Sequence, residues 1–277
     1  MDGRTVEPRS NPWLVLCASN RGGIIRNAPV VKVFLIVFSV IVVAALAAVA
    51  ATALTKRHAV ADVQRETRSA TGFNRIDVSG LAEVTLQQGS RESVTVEAPA
   101  QMLSRIKTEV RERTLTVTIS QQRHWWDWFE VGSRGRTPRI TIEFVKIDRI
   151  ESTSQIKFKA DTLRADDLRF DVAGASSLKI GDLQASRLWL DGSGAISADI
   201  AGKVGTQQVD LSGAGSYRAG ALVSDKADIR VSGAGKAIVN AMSLLRVDIS
   251  GAGVVEYLGD PKLEQQISGV GKVRRRD

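Results

Sequence analysis

The sequence predicts an all-β solenoid that follows a single transmembrane helix. Three observations predict this fold class. A Ser-Gly-Ala-Gly motif returns at a nearly fixed interval in the C-terminal half of the chain, and alternating apolar and polar residues flank each copy. Residues 33–54 form an apolar run without charge. A fixed period of about twenty residues is typical of coils that stack and share one core.

Composition limits the classes of protein that fit. The chain has 277 residues, a formal net charge of +8, two histidines and one cysteine, Cys17. This length holds one or two domains. Because the chain has only one cysteine, a disulfide framework is excluded, and two separate histidines do not form a usual zinc site. We expect no metal and no cofactor.

The N-terminal region predicts a membrane anchor. Residues 1–32 carry five basic and two acidic residues and are predicted to be a cytoplasmic basic tail. Residues 33–54 are long enough to cross a bilayer as a helix, which would be a signal anchor with the C-terminal domain outside the cytoplasm. The alternative is a cleaved signal peptide, since Ala51-Thr52-Ala53 resembles a cleavage site, and the protein would then be secreted.

The domain outside the membrane is predicted to follow a polar linker. Residues 55–70 form that linker and residues 71–277 the solenoid domain. The domain opens at Phe73 with a strand, a turn and a second strand that ends near Gly89, with period two throughout. Alternating apolar residues predict further strands near residues 94–96, 106–110, 115–119 and 140–144, and the coils are expected to begin at Ile150.

The repeat itself predicts strands joined by glycine turns. In the copy Val209-Asp210-Leu211-Ser212-Gly213, Val209 and Leu211 point inward and Asp210 points outward. The glycine supplies backbone angles that other residues rarely adopt. We expect two or three short strands in each coil. The predicted structural turn glycines, 18 to 21 residues apart, are Gly174, Gly192, Gly213, Gly233, Gly251 and Gly269.

The chain resembles a bacterial family called putative auto-transporter adhesin, head GIN domain. The resemblance is carried by FNRIDVSGLAEVTLQQG (residues 73–89), by the serial SGAG turns, and by SGAGVVEYLGDPKLEQQISGVGKV (residues 250–273). It implies a right-handed β-helix-like fold in the bacterial envelope, here at the inner membrane with a periplasmic domain. It implies no chemistry. The sequence departs from the pattern between Ile150 and Ser154, where a Ser-Gly turn is expected.

One aromatic segment is the candidate contact site. It interrupts the alternation between two predicted strands, and clustered Trp, Phe and Arg can stack on sugars, bind a protein or lie at a membrane surface. The alternative is that the segment caps one end of the solenoid. The candidate contact residues are Trp125, Trp126, Trp128, Phe129, Arg134 and Arg136.

A second feature is the position three residues before each aligned glycine. Stacked coils place such residues about 4.8 Å apart, which favours an exposed ladder of alternating charge. Arg230 between Asp210 and Asp248 disfavours a calcium site and a general acid there. The residues at this position are Asp171, Trp189, Asp210, Arg230, Asp248 and Gln266.

These observations predict a non-catalytic binding or scaffolding protein. Its expected partners are the inner membrane, through residues 33–54, and an envelope polysaccharide or protein. Nucleic acid is not expected for a domain outside the cytoplasm. The alternatives are a carbohydrate-active enzyme that uses Asp210 or Asp248, and a signalling accessory that reports the state of the envelope. The sequence predicts neither the ligand nor the oligomeric state.

Overall fold

The computed structural model describes residues 63–120 and 137–276. The predicted tail, the predicted membrane helix and the aromatic segment at 125–136 lie outside the described residues. Within the described ranges, no helix combines the length and the apolar character needed to cross a bilayer.

The described residues form an all-β structure with one short helix, α1 (Ala100–Leu103). The strands are β1 (Val63–Ser69), β2 (Arg75–Ser79), β3 (Leu81–Gln88), β4 (Ser93–Pro99), β5 (Ile106–Arg111), β6 (Thr114–Ile119), β7 (Arg139–Phe144), β8 (Arg149–Ser152), β9 (Gln155–Gly174), β10 (Ser177–Gly194), β11 (Ser197–Gly213), β12 (Ser216–Gly233), β13 (Lys236–Gly251), β14 (Val254–Leu258), β15 (Lys262–Gly269) and β16 (Lys272–Arg275). They form a β-solenoid of about six turns, which confirms the all-β solenoid part of the predicted fold class.

Strands β9 to β13 each form one coil of the solenoid and pair in parallel with the next coil. The expectation of two or three short strands per coil is wrong here, because each coil is one strand of 16 to 20 residues. The register between neighbours shifts where a strand bends, as between Ile180 and Leu183 of β10. Such irregularities let a strand bend around a corner while ladder bonding resumes on both sides.

The register corrects one of the predicted turn glycines. Gly194, not Gly192, pairs with both Gly174 and Gly213. Gly194 has a φ of 106°, in the region that favours glycine, and its carbonyl accepts a hydrogen bond from the Ala214 N–H at 3.0 Å. Gly192 instead occupies an inward position between Val172 and Leu211. A side chain at this position would be crowded, because an added Cβ would lie 3.2 Å from Leu211 Cδ2.

The other turn glycines hold equivalent places in the register. Each added Cβ would press on the backbone of the preceding coil, as at Gly233, where the Gly213 carbonyl oxygen would lie 2.5 Å away. The turn between Ile150 and Ser154 forms without a glycine. Ser154 stands two residues after Ser152, which pairs with Val172, so that Ser154 occupies the turn position without a positive φ.

Rows of stacked inward residues build the core. One such row is buried to at least 97% in six successive coils, and each of its large apolar side chains stabilises the fold by about 1.5–3 kcal/mol. The row consists of Ile150, Phe170, Leu190, Val209, Ile229 and Val247.

Antiparallel strands close the N-terminal end of the solenoid. Residues 63–69, predicted as part of the linker, form β1, which pairs antiparallel with β4. Arg68 holds β1 against the neighbouring elements, since its guanidinium donates to the carbonyl oxygens of Ile106 and Leu103 at 2.5 and 3.2 Å. The alternating apolar pattern does not reveal β1 because most of its residues are exposed on both faces.

One polar network lies inside the core. The Tyr217 hydroxyl donates to Gln207 Oε1, Gln207 Nε2 donates to Ser224 Oγ, and Ser224 Oγ donates to the Asn240 carbonyl oxygen, each at 2.8 Å. Tyr217 and Gln207 are fully buried. Because every member has a partner, burial of these polar groups carries no penalty from an unmade hydrogen bond.

Candidate functional site

Outward carboxylates stack on one face of the solenoid, on the strand segment that precedes each turn. Parallel pairing places them in one row, which we call the acidic row, with about 4.8 Å between neighbours. From the N-terminal coil onward, the acidic row consists of Asp77, Glu151, Asp171, Asp191 and Asp210. The next residues in the same register are Arg230, Asp248 and Gln266.

Arginines two residues upstream connect the members of the acidic row. Arg149 Nε lies 2.7 Å from Glu151 in its own strand and 2.7 Å from Asp171 in the next coil. Arg169 repeats the arrangement, 2.9 Å from Asp171 and also paired with Asp191. Each guanidinium thus bridges two coils. These side chains are partly exposed, so each pair adds only a few tenths of a kcal/mol, but together they fix the side-chain positions.

The arginine series ends at Trp189. Trp189 pairs in register with Arg169 on one side and Gln208 on the other. The guanidinium of Arg187 lies 5.0 Å from the centre of its ring, within the range of a cation–π contact, and also pairs with Asp167. Among the described residues, Asp210 makes no ion pair. The next residue in the row, Arg230, pairs with Asp228 instead of Asp210.

A shallow groove of about 330 Å³ runs beside the acidic row. Its polar lining combines carboxylates with hydroxyls, which are the groups that bind sugar hydroxyls or amines. Ala173 and Gly192 also line the groove, and their small size leaves space in it. The polar residues that line the groove are Glu151, Ser152, Thr153, Asp171, Asp191, Ser193, Asp210 and Ser212.

Two carboxyl groups of the acidic row hold their protons more tightly than usual. Burial raises the pKa of Asp191, the neighbouring carboxylates of Asp171 and Asp210 add to this, and the Arg169 guanidinium opposes it. Burial also raises the pKa of Asp77. A positive ligand in the groove would lower the pKa of Asp191.

Asp191 and Glu264 are expected to affect the pH dependence of stability in opposite directions. Because the pKa of Asp191 is raised in the folded state, its contribution is complete below the unfolded pKa of about 3.9 and is lost as the pH rises through the folded pKa. The ammonium of Lys262, with Arg246, lowers the pKa of Glu264, so its contribution is present above about pH 4.3 and is lost as the pH falls.

Urea denaturation between about pH 3.5 and pH 7 measures this difference. Relative to the unmodified protein, Asp191→Asn should gain stability as the pH rises, and Glu264→Gln should lose it. If both variants follow the unmodified profile, the directions given for the pKa values of Asp191 and Glu264 are wrong.

The structure brings together residues that the sequence analysis did not connect. The sequence alignment used Gly192 as the turn glycine and therefore predicted Trp189 as a member of the charge ladder. In the structure, Asp191 occupies that position, in register with Asp171 and Asp210. Asp77 and the two bridging arginines, Arg149 and Arg169, were not predicted from the sequence. The signal was present, because arginine, an apolar residue and an acid precede the turn in each early coil: Arg75-Ile76-Asp77, Arg149-Ile150-Glu151 and Arg169-Phe170-Asp171. Within 63–120 and 137–276, no group of three or more His, Cys, Asp or Glu residues could hold a metal ion.

Comparison with known proteins identifies one matching family and several solved structures with a similar fold. A family model described as "Putative auto-transporter adhesin, head GIN domain" matches residues 72–261. A solved adhesin-like protein from Bacteroides fragilis is 19% identical, with a TM-score of 0.71, and the match covers 78% of this chain and 97% of that one.

Two proteins of Parabacteroides distasonis and Parabacteroides merdae have the same fold. The first, described as a putative lipid binding protein, is 17% identical over 78% of this chain and 97% of that one, with a TM-score of 0.63. The second, described as a putative adhesin, is 14% identical over 78% and 96%, with a TM-score of 0.58. No curated protein matches this chain.

Proposed function

The chain belongs to the family described as putative auto-transporter adhesin, head GIN domain, and from this membership we propose that it is a non-catalytic binding or scaffolding protein of the bacterial envelope. Its binding surface is the acidic row with the adjoining groove. One observation carries the proposal: carboxylates, guanidiniums and hydroxyls repeat at strand spacing along a rigid parallel sheet. A polymer with regularly spaced hydroxyl or amine groups fits such a row. The ligand is an envelope polysaccharide or a protein that presents similar groups.

The proposal includes the position of the protein in the cell. Residues 33–54 hold it at the inner membrane as a single-pass anchor, and the solenoid lies in the periplasm. The coils wind in the right-handed sense, which nearly all parallel crossover connections share. The intact mass of the mature protein tests the anchor, because a chain that begins near Thr55 in the soluble fraction would show a cleaved signal peptide instead.

Binding to purified, insoluble cell-wall polysaccharide tests the function. The full chain, held in detergent, should sediment with the polysaccharide. The variant Asp171→Asn/Asp191→Asn should bind about tenfold more weakly because it removes two charges from the row. A matched control, Asp161→Asn/Asp182→Asn, removes two charges at surface positions outside the acidic row and should bind as the unmodified chain does.

A second variant tests the aromatic segment in the same assay. Trp125→Ser, Trp126→Ser and Trp128→Ser together should weaken sedimentation if these residues contact the ligand, and leave it unchanged if they form a cap. Equal binding by all variants, or none by the unmodified chain, would contradict the proposed role of the acidic row.

The carboxyl groups of Asp171, Asp191 and Asp210, which line one groove, favour a second candidate function, a carbohydrate-active enzyme. Glycoside hydrolysis requires two carboxyl groups in different environments, and burial raises the pKa of Asp191. The same assay separates the two functions, because an enzyme would release soluble reducing sugar and Asp191→Asn would abolish that release.

A further inference from the structure

None of the described residues covers the inward side chains at the C-terminal end of the solenoid. β15 pairs only with β13 and β16 only with β14, and no described strand lies beyond them. Leu245, Ile249 and Val255 are fully buried, whereas their partners in the next coil, Leu263, Ile267 and Val273, are not. Ile267 is 39% exposed. The antiparallel strands that close the N-terminal end have no counterpart here among the described residues.

Val270 adds an apolar side chain to this end. It follows the last turn glycine, Gly269, and is 85% exposed. The earlier coils have alanine at the same place, after each turn glycine, and these residues are Ala175, Ala195, Ala214, Ala234 and Ala252. Valine is therefore a departure from the repeat that enlarges an exposed apolar surface and contributes nothing to the core.

Basic residues surround these apolar side chains. Residues 260–276 contain five basic residues and two acidic residues, Asp260, which pairs with Arg275, and Glu264, which pairs with Lys262. Arg274, Arg276 and Lys236 converge on Glu256, which is 5% exposed, while the three cations are half exposed. The buried carboxylate positions the cations and leaves positive charge facing solvent. The basic residues are Lys262, Lys272, Arg274, Arg275 and Arg276.

We propose that this end, formed by Ile267, Val270 and Val273 with the five surrounding basic residues, binds an anionic lipid surface. Exposed apolar side chains ringed by Lys and Arg are the composition of an interfacial membrane contact. A second copy fits poorly, since two identical ends would bring like charges together. A soluble anionic polymer would engage the charges but not Ile267 and Val270. The inference goes beyond the proposed function and does not depend on the acidic row.

Vesicle sedimentation tests the proposal. The full chain is held in nanodiscs of phosphatidylcholine and mixed with dense vesicles of phosphatidylcholine, with or without phosphatidylglycerol. It should sediment with the anionic vesicles only. Lys272→Gln/Arg275→Gln keeps the cluster at Glu256 and should bind about 25-fold more weakly, at roughly fivefold for each basic residue. Val270→Ala restores the residue of the other coils and should weaken binding about fivefold.

Matched controls use the middle of the solenoid. Lys179 and Lys203 are exposed and make no ion pair among the described residues, and Lys179→Gln/Lys203→Gln removes the same charge. Val223→Ala removes an apolar side chain that is 37% exposed. Both controls should bind within about twofold of the unmodified chain.

Three results would overturn the proposal. The first is that the full chain does not bind anionic vesicles, or that the test and control variants lose equal amounts of vesicle binding. The second is competition by soluble polyphosphate with no effect of Val270→Ala, which would indicate a soluble polymer. The third is self-association of the full chain that Val270→Ala abolishes, which would identify a second copy as the occupant.

Discussion

Gly194→Ala is expected to lower the free energy of unfolding by about 3 kcal/mol or more, whereas Gly192→Ala should change it by no more than about 1 kcal/mol. At Gly194 the backbone has a φ of 106°, and an added Cβ would overlap the Gly174 carbonyl oxygen. That oxygen accepts a hydrogen bond from Ala195 at 2.8 Å, so it cannot move away without breaking the ladder between coils. At Gly192 the nearest atoms belong to the side chains of Leu211 and Ile196, which can adjust.

Urea denaturation of the two variants measures this difference directly. Gly220→Ala is a further control, because its Cβ would meet only side-chain atoms at 3.4 Å. Equal losses for Gly194→Ala and Gly192→Ala would mean that the coil register is wrong between β10 and β11.

Tyr217→Phe is expected to cost about 1–3 kcal/mol of stability because it leaves Gln207 Oε1 buried without a donor. Tyr217→Ala should cost about 3–5 kcal/mol, since it also opens a cavity where the largest fully buried side chain lies. The double variant Tyr217→Phe/Gln207→Leu removes both partners. It should recover most of the loss of Tyr217→Phe, because no unsatisfied polar atom remains between the two positions.

The double-mutant cycle distinguishes a hydrogen-bond network from simple packing. If Tyr217→Phe and Gln207→Leu have additive effects, the two side chains are not coupled. Ser224→Ala supplies a second test, since it removes the acceptor for Gln207 Nε2 and should also be partly compensated by Gln207→Leu.

The repeat was sufficient to predict the fold because the same local chemistry recurs in each coil. Its one misalignment came from a segment with two glycines, Asp191-Gly192-Ser193-Gly194. The flanking residues resolve it, because Asp191 and Ser193 match Asp210 and Ser212 and so align Gly194 with Gly213. The number of strands per coil was not predictable in the same way. Whether a corner interrupts the hydrogen-bond ladder depends on the bulges between neighbouring coils.

The acidic row was only partly predictable. Asp171 and Asp210 were found because they lie in the regular repeat. Asp77 and Glu151 are direct neighbours in the sheet but 74 residues apart in the chain, with β3 to β7 between them. No local period connects such positions. The burial that raises the pKa of Asp191 is likewise a property of the stacked coils and not of its own segment.

Because each coil pairs only with its two neighbours, the solenoid can be lengthened by one whole coil at a time. Duplication of a coil in the gene would lengthen the sheet by about 4.8 Å and would disturb no other contact. The outcome would depend on which coil is copied. A second copy of residues 155–174 would add another Arg169-type bridge and extend the acidic row, whereas a copy of the coil with Arg230 would lengthen the protein without extending that row. Variation in coil number thus offers evolution a way to match the span of the surface to the length of its ligand.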